Sequence, residues 1–239
     1  MMVGKNILIL YQLALDLMGI NQNAFSLYHP GMSEQSCFSD ARQNNERSIC
    51  RTLCIKRKYA AYWTGNMDTA AKMYELHLNY PIGSSGRLIS VINSTFVDGL
   101  IALYFARKHG KDEAKWTELG ESVMKTMKQW VASSGWNFMN KLKLLEAEYA
   151  FLKEDDKNAM ADYNASIKAA RDHKFLHEEG LAQEKAATYL LHKSRHDQSL
   201  GYFINAKKCY ESWGAYALVE RVDKAIAILM PLCTAASIS

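Results

Sequence analysis

The apolar residues of this chain recur at intervals of three and four over long stretches, which is the period of an amphipathic α-helix. The clearest stretch carries the apolar positions Trp116, Leu119, Val123, Met127, Trp130 and Val131. Alternating runs of β-branched residues, the pattern of a half-buried strand, are nearly absent. The pattern therefore predicts an all-α protein.

Glycines, prolines and capping residues divide the chain into about ten predicted helices, mostly joined by short loops. The first, Ile7–Leu17, ends at Gly19 in the C-cap role. Ile20–Asn44 follows as an irregular connector, in which a degenerate helix remains an alternative because so long a loop is unusual. The other predicted elements are helices over Asn45–Trp63, Thr69–Asn79 (capped by Asn66 or Asp68), Arg87–Lys108 and Glu113–Ala132, helix pairs over Asn137–His173 (capped by Asn137) and Leu176–Trp213, and a helix over Tyr216–Leu229 that stops before Pro231.

The segment from Leu142 to Gly214 carries one helix-pair pattern twice, about 40 residues apart. Small residues mark where two antiparallel helices cross closely, and an aromatic residue fills the next gap. The first copy has Ala147, Ala159, Tyr163 and Ser166, and the second has Ala187, Ser199, Phe203 and Ala206. Such a period is typical of solenoids, in which each unit buries its apolar face by stacking on a neighbour. We therefore predict a tetratricopeptide-like α-solenoid of antiparallel helix pairs.

The repeat pattern also predicts how the chain is organised. We expect an N-terminal helix and connector over residues 1–44 and degenerate helix-pair repeats over 45–134. Two clear tetratricopeptide-like repeats and a final helix are expected over 135–230, and a tail over 231–239.

Beyond spacing, the segment from Lys141 to Asp223 resembles a particular helical repeat region. That region lies downstream of the nucleotide-binding AAA/STAND module in large signalling proteins, which include hybrid serine/threonine–histidine kinases and related predicted ATPases. The residues that carry the resemblance are Lys141-Leu-Lys-Leu-Leu-Glu-Ala-Glu-Tyr-Ala, Asp162-Tyr-Asn-Ala-Ser-Ile-Lys-Ala-Ala-Arg, Glu178-Glu-Gly-Leu-Ala-Gln-Glu-Lys-Ala-Ala and Tyr210-Glu-Ser-Trp-Gly-Ala-Tyr-Ala-Leu-Val. The resemblance implies a regulatory scaffold arm whose chemistry belongs to other modules. The phosphate loop, kinase and cyclase motifs of those modules are not in this sequence.

Net charge and cysteine content indicate which partners and which cellular compartment to expect for this protein. The formal net charge is only +4, and we interpret the densest basic spots, Lys56–Lys58 and Lys207–Lys208, as solvated helix faces rather than a nucleic-acid surface. Five dispersed cysteines indicate reduced, intracellular thiols. The apolar stretch near the N-terminus lacks a signal-peptide cleavage site and is too short to span a membrane. We therefore expect a cytoplasmic protein without a membrane partner.

Two histidine pairs, His173/His177 and His192/His196, have a spacing that can bind zinc, since side chains at i and i+4 converge on a helix. Each pair straddles a predicted helix break, so the pairs are more simply surface histidines at helix ends. Glu146 and Glu148 point apart and do not form an acid–base pair. Glu178, Glu179 and Glu184 are expected on a solvated face. The sequence predicts no catalytic residue, cofactor or small-molecule substrate.

If a peptide binds, solenoid geometry places it on the surface that the first helices of each pair form. The candidates chosen by facing are Lys143, Glu146, Tyr149, Lys185 and Tyr189. The sequence thus favours a non-catalytic scaffold with a protein or peptide partner. A metal-binding or enzymatic helical domain that uses the paired histidines, and a fragment of a larger signalling protein, remain the alternatives.

Overall fold

The computed structural model describes residues 11–20, 34–80, 88–108, 110 and 112–236, and all regular secondary structure in these ranges is α-helical. Helix α1 is described over residues 11–17. The helices that follow are α2 (Glu34–Gln43), α3 (Arg47–Trp63), α4 (Met67–Leu78), α5 (Leu88–Ala106), α6 (Glu113–Ser133), α7 (Gly135–Leu152), α8 (Asp156–Asp172), α9 (Leu176–His192), α10 (His196–Trp213) and α11 (Tyr216–Ala236). The predicted all-α class is confirmed.

The chain forms two compact units, Met1–Val97 and Asp98–Ser239, and the division falls within α5. In the first unit α3 packs against α4, and α2 packs on α3. The core around α2 joins Ala41 to Ile49, Cys50 and Leu53 of α3. Helix α2 lies within the predicted irregular connector, so the alternative of a helix there is the correct one.

In the second unit the helices pack with their chain neighbours as antiparallel pairs, α7 with α8 and α9 with α10, and successive pairs pack on each other. This is the predicted arrangement of an α-solenoid. All eight repeat positions are buried, with exposed fractions between 0% and 4%. The two serines among them donate hydrogen bonds across the helix pair, from Ser166 Oγ to the carbonyl of Asn140 (2.7 Å) and from Ser199 Oγ to the carbonyl of Ala187 (2.8 Å). Small residues thus let the paired helices approach closely, as the pattern predicted.

The turns that join these helices share one geometry. Glu154, Lys174, Ser194 and Gly214 all have positive φ, and they follow one another at intervals of 20 residues. At each turn the next residue donates its N–H to a carbonyl five positions earlier, at 2.9 Å, which is the helix-ending Schellman bond. The same bond ends α1 at Gly19, as predicted, and α3 at Gly65. Each helix with its turn is therefore a 20-residue unit, half of the predicted period.

The structure contradicts the predicted start of one helix and the predicted end of another, and it confirms one predicted N-terminal cap. Ser134 alone separates α6 from α7, and Asn137 lies inside α7, where its amide donates to Ser134 Oγ at 3.0 Å instead of capping the helix. Helix α11 continues through Pro231 to Ala236, although an interior proline lacks the N–H of the helical hydrogen bond. The Asn66 cap is confirmed, since its side chain accepts a hydrogen bond from the N–H of Thr69.

The turn geometry predicts opposite effects for two substitutions. Lys174 is exposed and has φ of +59°, so Lys174→Gly should raise the free energy of unfolding by about 0.5–1 kcal/mol, because relief of left-handed strain outweighs the added unfolded-state entropy. Gly214→Ala should lower it by about 1 kcal/mol at φ of +80°, where no neighbouring atom would meet the new methyl group. Urea unfolding of both variants measures the two changes, and a loss of stability in Lys174→Gly would contradict this account of the turns.

Candidate functional site

The five residues predicted to bind a peptide lie on α7 and α9. Lys143 of α7 pairs with Glu146 of the same helix (2.8 Å) and with Asp162 of α8 (2.9 Å). Glu146 also lies 3.3 Å from Lys128 of α6. These two candidates therefore belong to an ion-pair network that joins three helices.

The other three candidates lie in different surroundings. Tyr149 donates a hydrogen bond to Glu121 of α6 at 2.6 Å. Tyr189 is only 1% exposed, and its hydroxyl donates to Asp156 at 2.8 Å. Lys185 belongs to the lining of a pocket.

That pocket, which we call the first-helix pocket, has a volume of about 420 Å³. It lies where the C-terminal ends of α5, α7 and α9 meet, and these are the first helices of three successive pairs. Its lining residues are Tyr104, Arg107, Lys108, Glu148, Phe151, Leu152, Glu154, Lys185, Thr188, His192 and Lys193. The volume falls within the range of roughly 300–1,000 Å³ that is usual for ligand sites.

A buried carboxylate, that of Glu148, lines the first-helix pocket. The side chain of Glu148 is 2% exposed, and it accepts hydrogen bonds from Arg107 (2.7 Å) and from the Tyr163 hydroxyl (2.6 Å). Burial alone would raise the pKa of Glu148, but the charges of Arg107 and Lys185 and these hydrogen bonds outweigh it and lower the pKa. Arg107 also donates to the backbone carbonyl of Glu148 at 3.1 Å and lies over the Phe151 ring at 4.5 Å. The carboxylate is therefore charged and fixed by groups from two other parts of the unit.

A glutamate held by a tyrosine and an arginine also occurs in the next helix pair. Glu184 of α9 accepts hydrogen bonds from the Tyr210 hydroxyl of α10 (2.7 Å) and from Arg221 of α11 (2.6 Å). Gly180 lets the Tyr210 ring pack closely against α9, because a Cβ at that position would lie 2.8 Å from the ring. Each carboxylate is thus held by one tyrosine from a second helix and one arginine from a neighbouring first helix.

Lys185 interacts electrostatically with both of these carboxylates. Burial lowers its pKa, while Glu148 and Glu184 oppose that shift and Arg107 and Arg221 add to it. Two carboxylates and two arginines thus act on the charge of the same lysine.

The predicted solvated glutamate face is wrong. The side chains of Glu178, Glu179 and Glu184 are 8%, 13% and 16% exposed. Each faces a cation of another helix: Lys141 lies 2.8 Å from Glu178, Arg171 lies 2.8 Å from Glu179, and Arg221 contacts Glu184. Sequence spacing within one helix carries no information on these partners, which is why the prediction failed.

Three of the four paired histidines contact aromatic rings. His173 stacks on Trp136 with ring centroids 3.9 Å apart, His177 lies 5.3 Å from Trp213, and His192 lies 5.2 Å from Phe151. Over the described ranges, no group of three or more His, Cys, Asp or Glu side chains has a geometry that could hold a metal ion.

In the first unit, the predicted solvated basic face is also wrong. Lys58 of α3 is 0% exposed, and its ammonium donates to Ser94 Oγ at 2.8 Å. A serine beside a lysine can serve acyl transfer, but a substrate cannot reach a pair in which the serine is only 6% exposed. We interpret the contact as structural, since it satisfies a buried ammonium.

Cysteines fit the same picture of a packed interior. Cys50 and Cys54 are 1% and 0% exposed, and burial raises the pKa of the Cys54 thiol to about 12. Both are therefore packed inside the core rather than presented to a substrate. None of the helices that the structure describes is both long enough and apolar enough to cross a membrane.

Sequence reasoning missed the contacts that hold Glu148, a residue of the pocket lining. One signal was present in the repeat itself. Where the first copy has Glu148 and Tyr163, the second has Thr188 and Phe203, so the hydroxyl and its carboxylate acceptor are present or absent together. Arg107 lies 41 residues before Glu148, and no spacing rule links the two.

Comparison of this chain with protein-family models, with curated proteins and with solved structures finds no match. The relation to the AAA/STAND-associated repeats therefore stays a prediction from the residues quoted above.

The buried tyrosine predicts a stability effect with a matched control. Tyr163→Phe removes a hydrogen bond to a charged, buried carboxylate and should lower the free energy of unfolding by about 1.5–3 kcal/mol. Tyr202→Phe removes an exposed hydrogen bond to Asn164 and should change it by less than about 0.5 kcal/mol. Urea unfolding of both variants measures the difference. Equal changes in the free energy of unfolding would show that the buried hydrogen bond stabilises the protein no more than the exposed one.

The lowered pKa of Glu148 predicts a pH dependence of stability. The native pKa lies below its ordinary value of 4.5, so the unfolded chain binds the proton first, and stability is lost as the pH falls through the native pKa. In Glu148→Gln this loss is absent, so the stability difference from the unmodified protein should shrink between pH 7 and about pH 3. Glu118→Gln makes the same change at an exposed position and should show no such convergence. A difference for Glu148→Gln that is constant over this range would contradict the prediction.

Proposed function

We propose that this protein is a non-catalytic protein-interaction module that binds a peptide segment of its partner on the first helices of the second unit. The observation that carries the proposal is the first-helix pocket, a cavity of about 420 Å³ at the meeting point of α5, α7 and α9. A stack of helix pairs presents its first helices side by side, and such surfaces receive extended chains.

The chemistry of the pocket supports binding rather than catalysis. Glu148 is the carboxylate that could serve as an acid or base, but Arg107 and Tyr163 hold it as a charged structural group. Groups that are already hydrogen-bonded keep the pocket in one shape, which lowers the ordering cost of binding a partner. Phe151 and Leu152 add apolar surface beside the charges, and this mixture is typical of binding sites.

The cellular role that we propose for this module rests on the sequence resemblance. We propose a cytoplasmic regulatory arm of the kind that accompanies AAA/STAND signalling ATPases and kinases, with a protein rather than a nucleic acid as its partner. The match over Lys141–Asp223 supports this setting. It includes Glu148, Tyr163, Glu184 and Lys185, so the resembling segment is also the segment that builds most of the pocket.

Peptide display tests the binding function without assuming a partner. Random 12-residue peptides on phage are panned against the full chain, and we expect enrichment of a shared sequence. Thr188→Trp, at an exposed residue of the pocket lining, should abolish that enrichment because the indole fills the cavity. Ser122→Trp makes a matched change at an exposed position of α6 and should leave it intact.

Two results would contradict the proposed function. One is that no sequence is enriched over a second helical protein panned in parallel. The other is that the enriched peptides bind Thr188→Trp as well as they bind the unmodified chain.

A further inference from the structure

Several charged side chains of the first-helix pocket are paired within the protein. The carboxylate of Glu148 accepts hydrogen bonds from Arg107 and from the Tyr163 hydroxyl. The ammonium of Lys193 lies 2.7 Å from the carboxylate of Asp156. Because these charges already satisfy one another, a group that enters the pocket needs no charge of its own to complete them.

The helix ends at the pocket also have their hydrogen bonds made. The carbonyls of residues 149–151, at the end of α7, accept N–H groups from the turn that follows, and so do those of residues 189–191 at the end of α9. The negative ends of the dipoles of α5, α7 and α9 meet here, and they disfavour an anion. The pocket therefore suits an uncharged group.

Two cations of the lining lie against aromatic rings. The guanidinium carbon of Arg107 is 4.5 Å from the centroid of the Phe151 ring, and the ammonium of Lys108 is 5.1 Å from that of Tyr104. Both distances are within the roughly 6 Å at which the face of a ring attracts a cation. The pocket wall thus combines cations and rings, with the apolar side chain of Leu152 beside them.

The cations decide which uncharged group fits best. Any group that fills the pocket removes water from the cations on its wall. An alkyl side chain returns nothing for the lost hydration, whereas the negative face of an aromatic ring attracts the cations. The positive edge of the same ring is compatible with the negative helix ends and with the carboxylate of Glu154. A neutral aromatic ring therefore matches both parts of the wall.

We propose that the first-helix pocket binds a neutral aromatic side chain of the partner peptide. This inference rests on the proposed function and names the chemistry of its ligand. The ring packs against Phe151 and Leu152 and turns one face towards the ammonium of Lys108. A cavity of about 420 Å³ has room for such a ring. Aromatic side chains in pockets of this kind supply much of the binding energy of an interface.

Three pools of labelled 9-residue peptides test the proposal on the full chain. The pools share random flanks of Ser, Gly, Asn and Gln, and their central residue is phenylalanine, cyclohexylalanine or pentafluorophenylalanine. The three side chains are similar in size, but the cyclohexyl group has no π face and the fluorinated ring has a reversed quadrupole. We expect the phenylalanine pool to bind at least about threefold more tightly than either of the others. Since the ligand is neutral, its affinity should change little as salt increases.

Variants assign the binding to the pocket. Thr188→Trp should abolish binding of the phenylalanine pool, and Ser122→Trp should leave it intact. Lys108→Met keeps an apolar stem at an exposed position but removes the charge, so it should reduce the preference for phenylalanine over cyclohexylalanine at least about twofold. Lys168→Met makes the same change on α8, at a side chain that is 77% exposed, and should leave the preference unchanged. A partial loss of folding does not mimic this result, because the preference is a ratio measured on one variant.

Several outcomes would overturn the proposal. Equal or tighter binding of the cyclohexylalanine or pentafluorophenylalanine pool would show that the pocket selects an apolar group by size alone. An unchanged preference in Lys108→Met would show that the ring does not meet this cation. If display enriches peptides that depend on the pocket but contain no aromatic residue, the proposed function stands and this inference falls. If no peptide binds in either experiment, both fall.

Discussion

The second unit depends on one buried charge. Glu148 lies in the interior of a helical stack, where an unpaired carboxylate would be strongly destabilising. It is tolerated because Arg107, from the end of α5, and Tyr163, from α8, both bind it at hydrogen-bond distance. Three elements are thereby fixed to one another at a single point. The charge holds the ends of α5 and α7 in register, and the pocket between those ends follows from that register.

The stack uses this solution again at Glu184, where the arginine comes from the following first helix instead of the preceding one. A third link, Lys141 with Glu178, joins α7 to α9 at their other ends. Small residues and aromatic rings supply most of the apolar burial within each pair. Buried ion pairs add little net stability, because desolvation offsets much of their attraction, but breaking one partner is costly. Their effect is therefore to specify which helices neighbour each other.

The arrangement of charges also connects the fold to the proposed binding role. Each carboxylate has its own arginine and tyrosine, so the polar side chains of the first helices are held in place. Arg107 and Glu148, which stabilise the stack, thus also line the first-helix pocket. A binding surface built this way needs little rearrangement when a ligand enters, because its polar side chains are held by neighbours inside the protein.

The sequence by itself determined the helices, the 40-residue repeat and the small and aromatic residues at the helix crossings. These are local or periodic features: Ala147, Ala187 and the turn at Gly214 can be identified from spacing and from the conformational freedom of glycine. Only the tertiary structure decided which charges are buried. Glu184 and Lys58 look like surface residues in the sequence, because charged side chains are usually exposed. Their partners come from helices 36 and 37 residues away, so their burial depends on packing that no local pattern records. The first-helix pocket has the same origin, since it exists only where three helix ends meet.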